Sequence, residues 1–298
     1  MFQGIWPKKI AILIVLSIVT ITISTLFKSA VELEDAEQAY YSQWLRWGYD
    51  DQPPLYTWIQ YLFNQVLGTT KISFSLLRGL VFGSILYMVY SFSKRYSRDI
   101  KIAALSVFAL ALVPVFIDFT FRRLSHTSLL CLSVLTTYFI IEKLVSKRTV
   151  WQYIVFGICM AFGLLSKYNY GLFLAALVLA SLFDRQLKDV LFDKKILLSI
   201  LSALLIVIPH FYWLLGTHEN FLEIQESIHA KMSAGHVDNF FTPILSTLKV
   251  FLVLIGPLAL VLSIFVFRKS TAFLLQKWDW LSKLFASQLL ILLLFLFL

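Results

Sequence analysis

No charged residue interrupts the run from Ile10 to Phe27, and the chain returns to comparable apolar runs along its whole length. About twenty apolar residues span a bilayer as a helix. Nine windows approach that requirement: 10–27, 72–92, 102–117, 126–141, 150–166, 170–183, 196–215, 244–267 and 284–298. The chain is 59% hydrophobic and 14% charged, with a mean hydropathy of +0.80. A soluble domain is nearer half apolar and a quarter charged. The expected fold is therefore an all-α polytopic membrane protein whose helices pack in lipid. The first window follows Lys8 and Lys9 as a signal peptide would, but no small-residue cleavage site follows it, so a retained anchor is expected. Cys131 and Cys159 both fall inside apolar windows, where neither a disulfide framework nor a metal site is expected.

The net charge of +9 does not indicate a nucleic-acid partner, because the cations sit in short clusters between the apolar windows. That pattern reports membrane topology. With the N-terminus in the cytoplasm, the inner segments carry Lys94, Arg95, Arg98 and Lys101, then Lys143, Lys147 and Arg148, then Arg185, Lys188, Lys194 and Lys195. The carboxylates show the opposite bias. Four segments then lie outside: 28–71, a short one around Asp118–Ser125, the tight turn Lys167–Asn169, and 216–242.

The first outer segment is the acidic one. Glu32, Glu34, Asp35, Glu37, Asp50 and Asp51 all lie in it, and such a cluster belongs in water at the membrane surface. Leu33, Glu37, Tyr40, Trp44 and Trp47 share one helical stripe. A surface helix is expected with this aromatic stripe towards the membrane, leaving Glu34, Asp35 and Gln38 towards water. Pro53-Pro54 ends that helix and returns Asp50, Asp51 and Gln52 to the surface before a second short helix. Crowded carboxylates repel, so one of them is suited to accept a proton near neutral pH. A solvated acidic loop is the alternative.

The run Glu34-Asp35-Ala36-Glu37 followed by Trp47-Gly48-Tyr49-Asp50-Asp51-Gln52-Pro53-Pro54-Leu55 resembles the first outer loop of the GT-C membrane glycosyltransferases. The branch it resembles is the protein-mannosyltransferase-like and aminoarabinose-transferase-like one. The resemblance implies transfer of a sugar from a polyprenyl-phosphate carrier to an acceptor outside the cytoplasmic membrane. It places Glu34 and Asp35 at the catalytic acid pair, in the order Glu-Asp rather than Asp-Glu, so either could be the working carboxylate. It places Tyr49, Asp51 and Gln52 at the donor site. Some members have Lys where this chain has Gln52.

Two cationic elements accompany it. Arg122 and Arg123 precede the fourth window on the outer side, against the usual inner positivity, and a guanidinium matches phosphate oxygens in pairs. Pairing with Asp118 or lipid headgroups is the alternative. His126 and Thr127 follow, at the place of a family element that faces the site. Lys167 lies in the turn Ser166-Lys167-Tyr168-Asn169, where a lysine is costly unless paired. A snorkelling anchor would explain it. The resemblance instead implies a ligand of the donor phosphate, with Tyr168 and His126 lining the substrate.

The segment 216–242 carries His218, Glu219, Glu223, Glu226, His229, Lys231 and His236, with an amphipathic helix expected over 219–232 as a lid. Their spacing matches no zinc pattern. No glycine-rich nucleotide loop occurs, so a nucleotide sugar or ATP is not expected as a direct partner. The reading is thus one GT-C-type transmembrane domain over 1–298 in the cytoplasmic (inner) membrane, with its active site on the outer side. Its expected partners are a polyprenyl-phosphate-linked sugar, a cell-envelope acceptor and membrane lipids. No catalytic metal is expected, although the acid cluster could hold a divalent cation. The resemblance runs over about residues 5 to 260 and implies a member shortened at its C-terminus. Two other functions remain open: a transporter or flippase for a lipid-linked sugar, and an inactive paralogue or assembly subunit. No repeated halves of the kind common in transporters are visible.

Overall fold

The structure is a computed structural model that describes residues 5–28, 33–49, 52–97, 99–111, 125–216, 280, 283–284, 286–288 and 290–291. Among these there are ten helices of seven residues or more and no strand. They are α1 (Ile5–Leu26), α2 (Leu33–Tyr41), α3 (Leu55–Leu67), α4 (Lys71–Ser97), α5 (Ile100–Ala111), α6 (Ser125–Ser146), α7 (Val150–Ser166), α8 (Tyr170–Phe183), α9 (Arg185–Leu191) and α10 (Ile196–Gly216). Among the described residues four stretches are long and apolar enough to cross a membrane: Lys8–Leu26, Lys71–Tyr96, Ser125–Ser146 and Ile196–Gly216. Ile100–Leu110, Val150–Ser166 and Tyr170–Phe183 are shorter apolar helices. Seven of the nine expected windows therefore coincide with helices. The window 244–267 and the expected helix 219–232 lie outside the described residues, as does much of 284–298.

The chain divides into two compact units. The first comprises Met1–Thr136 with Leu165–Lys167, the second Thr137–Leu164 with Tyr168–Leu298.

In the first unit α1 packs along α4. Gly79 and Gly83, four residues apart and so on one helix face, let the two backbones approach. A Cβ on Gly79 would lie 3.2 Å from the Ile18 carbonyl oxygen, and one on Gly83 would lie 2.8 Å from Ile18 Cδ1. Small residues at this spacing are the usual means of close helix packing in lipid. Ile10 and Ile21 of α1 join Phe82, Leu86 and Tyr90 of α4 and Ala103, Ala104 and Val107 of α5 in one buried cluster. Asp99 starts α5 by accepting the Lys101 N–H at 2.8 Å.

The acidic segment folds as α2, a turn, and α3. Pro54 stands at the N-cap of α3, where the missing N–H of a proline costs nothing. Gly68 ends α3 at φ 69°, a left-handed conformation that favours glycine, and its N–H donates to the Asn64 carbonyl at 2.9 Å. Here the expectation that Asp35 and Gln38 face water does not hold. Leu33 and Tyr40 are 76% and 60% exposed, whereas Asp35 and Gln38 are 2% and 5% exposed. The helix also stops at Tyr41, short of Trp44 and Trp47. The face turned into the protein is the polar stripe Asp35, Gln38 and Ser42.

That face meets polar partners. Asn64 Nδ2 donates to Ser42 Oγ at 2.8 Å, Gln60 Nε2 to Asn64 Oδ1 at 2.9 Å and to Ser73 Oγ at 2.8 Å, and Ser73 Oγ to Asn64 Oδ1 at 2.6 Å. Gln60, Ser42 and Ser73 are fully buried. The chain of bonds ties the turn after α2 to α3 and α4.

In the second unit Gly157 of α7 admits α10. A Cβ there would collide with the Ser199 backbone, and Ser199 Oγ donates to the Tyr153 carbonyl at 2.6 Å. Asp184 caps α9 by accepting from the Gln186 and Leu187 N–H groups at 2.9 and 3.1 Å, and it also pairs with Lys283 Nζ at 2.7 Å. Tyr138 Oη donates to Gln288 Oε1 at 3.0 Å, while Trp280 and Leu284 are buried.

Candidate functional site

The first turn of α6 gathers the groups that carry charge. A helix N-terminus exposes backbone N–H donors that no earlier carbonyl satisfies. The Ser125 N–H is taken by Glu34 Oε2 of α2 at 2.8 Å. The next residue, His126, has its Nε2 3.3 Å from Gln38 Nε2, one helical turn along α2 from Glu34. The residue after that, Thr127, accepts from Lys167 Nζ at 2.9 Å. Three consecutive residues thus hold an acid, an amide and an ammonium. Helix geometry explains the acid and the amide: Glu34 and Gln38 are four apart and share one side of α2.

Asp35 does something different from its neighbour. It forms an ion pair with Arg78 of α4, and both side chains are nearly sealed from solvent, at 4% and 2% exposure. Burial pushes the Asp35 carboxyl above the ordinary carboxylate range, while Arg78 and, more distantly, Lys28 pull it back. Tyr56, in the first turn of α3, is 2% exposed. Its ring lies 5.4 Å from that of His126. Burial pushes the pKa of its hydroxyl up to about 12, against the pull of Arg78.

Of the residues expected to form the site, Glu34, Asp35, His126 and Lys167 come together in the first unit. Tyr49 lies in the turn after α2. Its hydroxyl accepts the Arg46 N–H at 3.1 Å and donates to the Trp44 carbonyl at 2.7 Å. Burial raises its pKa. Both bonds are made within its own turn, so its visible work is to fold that turn. Gln52 is half-buried just before the proline pair. Tyr168 belongs to the second unit, where its hydroxyl lies 3.0 Å from Nε2 of the fully buried His210 and Trp213 stacks on that imidazole at 5.8 Å. Arg122, Arg123 and Asp51 lie outside the described residues. Among the described residues no three His, Cys, Asp or Glu side chains cluster as metal ligands would.

The expectation that Asp35 and Gln38 face water is therefore corrected: both are buried against protein. Sequence reading also passed over Arg78, Tyr56, Gln60, Asn64 and His210. The signal for Arg78 was present, since a charge inside an apolar window is rarely without a buried partner.

These features have relatives. Residues 51–213 match the family described as dolichyl-phosphate-mannose-protein mannosyltransferase, a stretch that includes Tyr56, Arg78, His126 and Lys167. The chain belongs to this family of membrane glycosyltransferases. It is 33% identical over 186 residues to the lipopolysaccharide core galacturonosyltransferase RgtB of Rhizobium johnstonii, covering 62% of this chain and 37% of that one. It is 29% identical over 219 residues to the lipopolysaccharide core galacturonosyltransferase RgtA of the same organism, covering 73% of this chain and 43% of that one. The chain thus spans roughly two fifths of the length of these curated relatives. No solved structure matches it significantly.

Proposed function

We propose that the protein transfers a sugar from a polyprenyl-phosphate carrier to a cell-envelope acceptor at the outer face of the cytoplasmic membrane. The observation that carries this reading is that Glu34 and Lys167 both bind the first turn of one helix, Glu34 at the Ser125 N–H and Lys167 at the Thr127 hydroxyl. Transfer from a lipid phosphate needs a base for the acceptor hydroxyl and a cation for the leaving phosphate, close together.

The pair of acids divides its labour. Asp35 is committed to Arg78 inside the protein, and Glu34 is the base. Glu34 takes the proton from the acceptor hydroxyl as that oxygen bonds to the anomeric carbon. The bond from that carbon to the phosphate oxygen breaks, and polyprenyl phosphate leaves with the electron pair. Lys167, joined by Arg122 and Arg123, balances the charge on the departing phosphate. A single displacement of this kind inverts the anomeric centre. Tyr49, Asp51, Gln52 and His126 line sugar or acceptor. The names of RgtA and RgtB suggest a galacturonic acid residue as the sugar and a lipopolysaccharide core as the acceptor. The cation distribution supports an inner N-terminus, with α2, α3 and the Lys167 turn outside.

The test is an assay of polyprenyl phosphate release from a short-chain polyprenyl-phosphate galacturonate, with purified full chain and a lipopolysaccharide core acceptor. Glu34→Gln is expected to lower kcat by about a hundredfold or more, within the range for loss of a general base. Lys167→Ala is expected to raise the donor KM and lower kcat. Wild-type turnover in both variants would reject the reading.

A further inference from the structure

Gln38 is buried on α2, yet no step of the transfer uses it. Its Nε2 lies 3.3 Å from Nε2 of His126, and the Tyr56 ring backs the same imidazole at 5.4 Å. α2 does not need this contact to stay in place. Before Gln38, Asp35 is paired with Arg78 of α4. After it, Ser42 Oγ accepts from Asn64 Nδ2 of α3 at 2.8 Å, and the Ser42 N–H donates to the Gln38 carbonyl at 3.0 Å. α2 is thus anchored to α4 and α3 on either side of Gln38, which leaves the amide to act on α6. There His126 stands between the residue that meets Glu34 and the one that meets Lys167. A single bond at Ser125 would let the first turn of α6 pivot about that point. A second bond, at the next residue and one helical turn farther along α2, removes the pivot.

We propose that Gln38 is a positioning residue for the transfer reaction: by holding His126 it fixes the first turn of α6 against α2, and with it the spacing of Glu34 and Lys167. The proposal rests on those two residues acting as base and phosphate ligand. Removing the amide alters neither of them, so what is lost is alignment, on which the rate of a displacement depends steeply. One backbone group reports that alignment. The Ser125 N–H lies in the first turn of α6, where no earlier carbonyl takes it, and its partner is Glu34. Its protection from hydrogen exchange therefore measures how firmly Glu34 is seated.

Gln38→Leu removes the amide, and Gln38→Asn withdraws it by one carbon. In the full chain in detergent, each is expected to speed exchange at the Ser125 N–H about two- to tenfold, the worth of one hydrogen bond. Glu34→Ala gives the reference for complete loss of protection. With a short-chain polyprenyl-phosphate galacturonate as donor, kcat should fall by a similar factor, while the donor KM stays close to wild type because Lys167 is still present. Exchange in α5 should not change. Wild-type exchange at Ser125 and wild-type kcat in both variants, with Glu34→Gln inactive, would overturn the role of Gln38 and leave the base assignment standing. Faster exchange at Ser125 with unchanged turnover would overturn it as well. Exchange that quickens equally in α2, α5 and α6 would mark Gln38 as packing only, again overturning it. A fully active Glu34→Gln would instead remove the base assignment, and the role of Gln38 in transfer with it.

Discussion

Arg78 of α4 and Asp35 of α2 form an ion pair buried at the base of the acidic segment, with neither side chain more than 4% exposed. The pair attaches α2, which carries both Glu34 and Asp35, to α4, a helix long and apolar enough to cross a membrane. Removing one partner leaves a buried charge uncompensated, at a cost of about 3–5 kcal/mol. Arg78→Leu and Asp35→Asn are therefore each expected to destabilise strongly. Because the two changes remove the same interaction, the double variant should cost much less than their sum. Thermal unfolding in detergent of the two single variants and the double variant measures the coupling.

The same pair separates two carboxylates that are adjacent in sequence. If Asp35 holds the segment and Glu34 does the chemistry, the two conservative variants should fail differently. Glu34→Gln is expected to keep its unfolding temperature and lose turnover, whereas Asp35→Asn is expected to lose stability along with turnover. Measuring kcat and unfolding temperature on the same preparations decides it. Equal loss of both properties in both variants would contradict the division of labour.

The buried amides of α3 lead to a third expectation. Asn64 links Ser42, Gln60 and Ser73, and replacing it by leucine leaves those groups without their partner in a dry interior. An unsatisfied buried polar group costs about 1–3 kcal/mol. Asn64→Leu should lower the unfolding temperature and speed amide exchange in α2 and α3 before it affects α5. Exchange resolved by peptide would show whether the network holds this segment or merely fills it.

How much of this was legible in the sequence depends on the residue. The apolar windows were, because a run such as 196–215 can do little else in lipid, and helices occupy seven of them. Glu34 and Lys167 were legible as groups in need of partners, since a carboxylate cluster and a turn lysine beside apolar spans both need a reason, and they meet the Ser125 N–H and the Thr127 hydroxyl. The face of α2 was not. Two stripes were on offer, one aromatic and one polar, and the aromatic one was assigned to the membrane with the acids left in water. Beside a bilayer the surroundings of a helix are themselves partly apolar, so Leu33 and Tyr40 gain little by turning into the protein. Asp35, Gln38 and Ser42 gain more, because Arg78, Asn64 and their neighbours provide partners there. Reading that choice required knowing which distant residues would meet α2, and the separation of 43 positions between Asp35 and Arg78 hides that pairing from any local pattern. Tyr56 escaped notice for the same reason: its neighbours come from α2, α4 and α6.

The last prediction concerns pH and a carboxylate of the second unit. Asp184 ends α8 and caps α9. Burial alone would raise its pKa, but Lys283 and the Leu187 and Gln186 N–H groups outweigh burial and hold it below the ordinary value. A carboxyl depressed in the folded state binds fewer protons there than in the unfolded chain. Its contribution to stability is therefore fully present above the unfolded pKa of about 3.9, and is lost as pH falls through the lower folded value. Asn is as good a helix cap as Asp but carries no charge. Asp184→Asn thus retains the cap and removes the attraction to Lys283, which for a partly solvated pair is worth about 1 kcal/mol or less. Its unfolding temperature should sit slightly below wild type at pH 7 and converge with it as pH drops below the folded pKa of Asp184. High salt at pH 7 should narrow the same gap, because screening weakens the ion pair and leaves the cap intact. A gap that persists unchanged at low pH and in salt would mean that the Lys283 contact contributes through packing rather than charge.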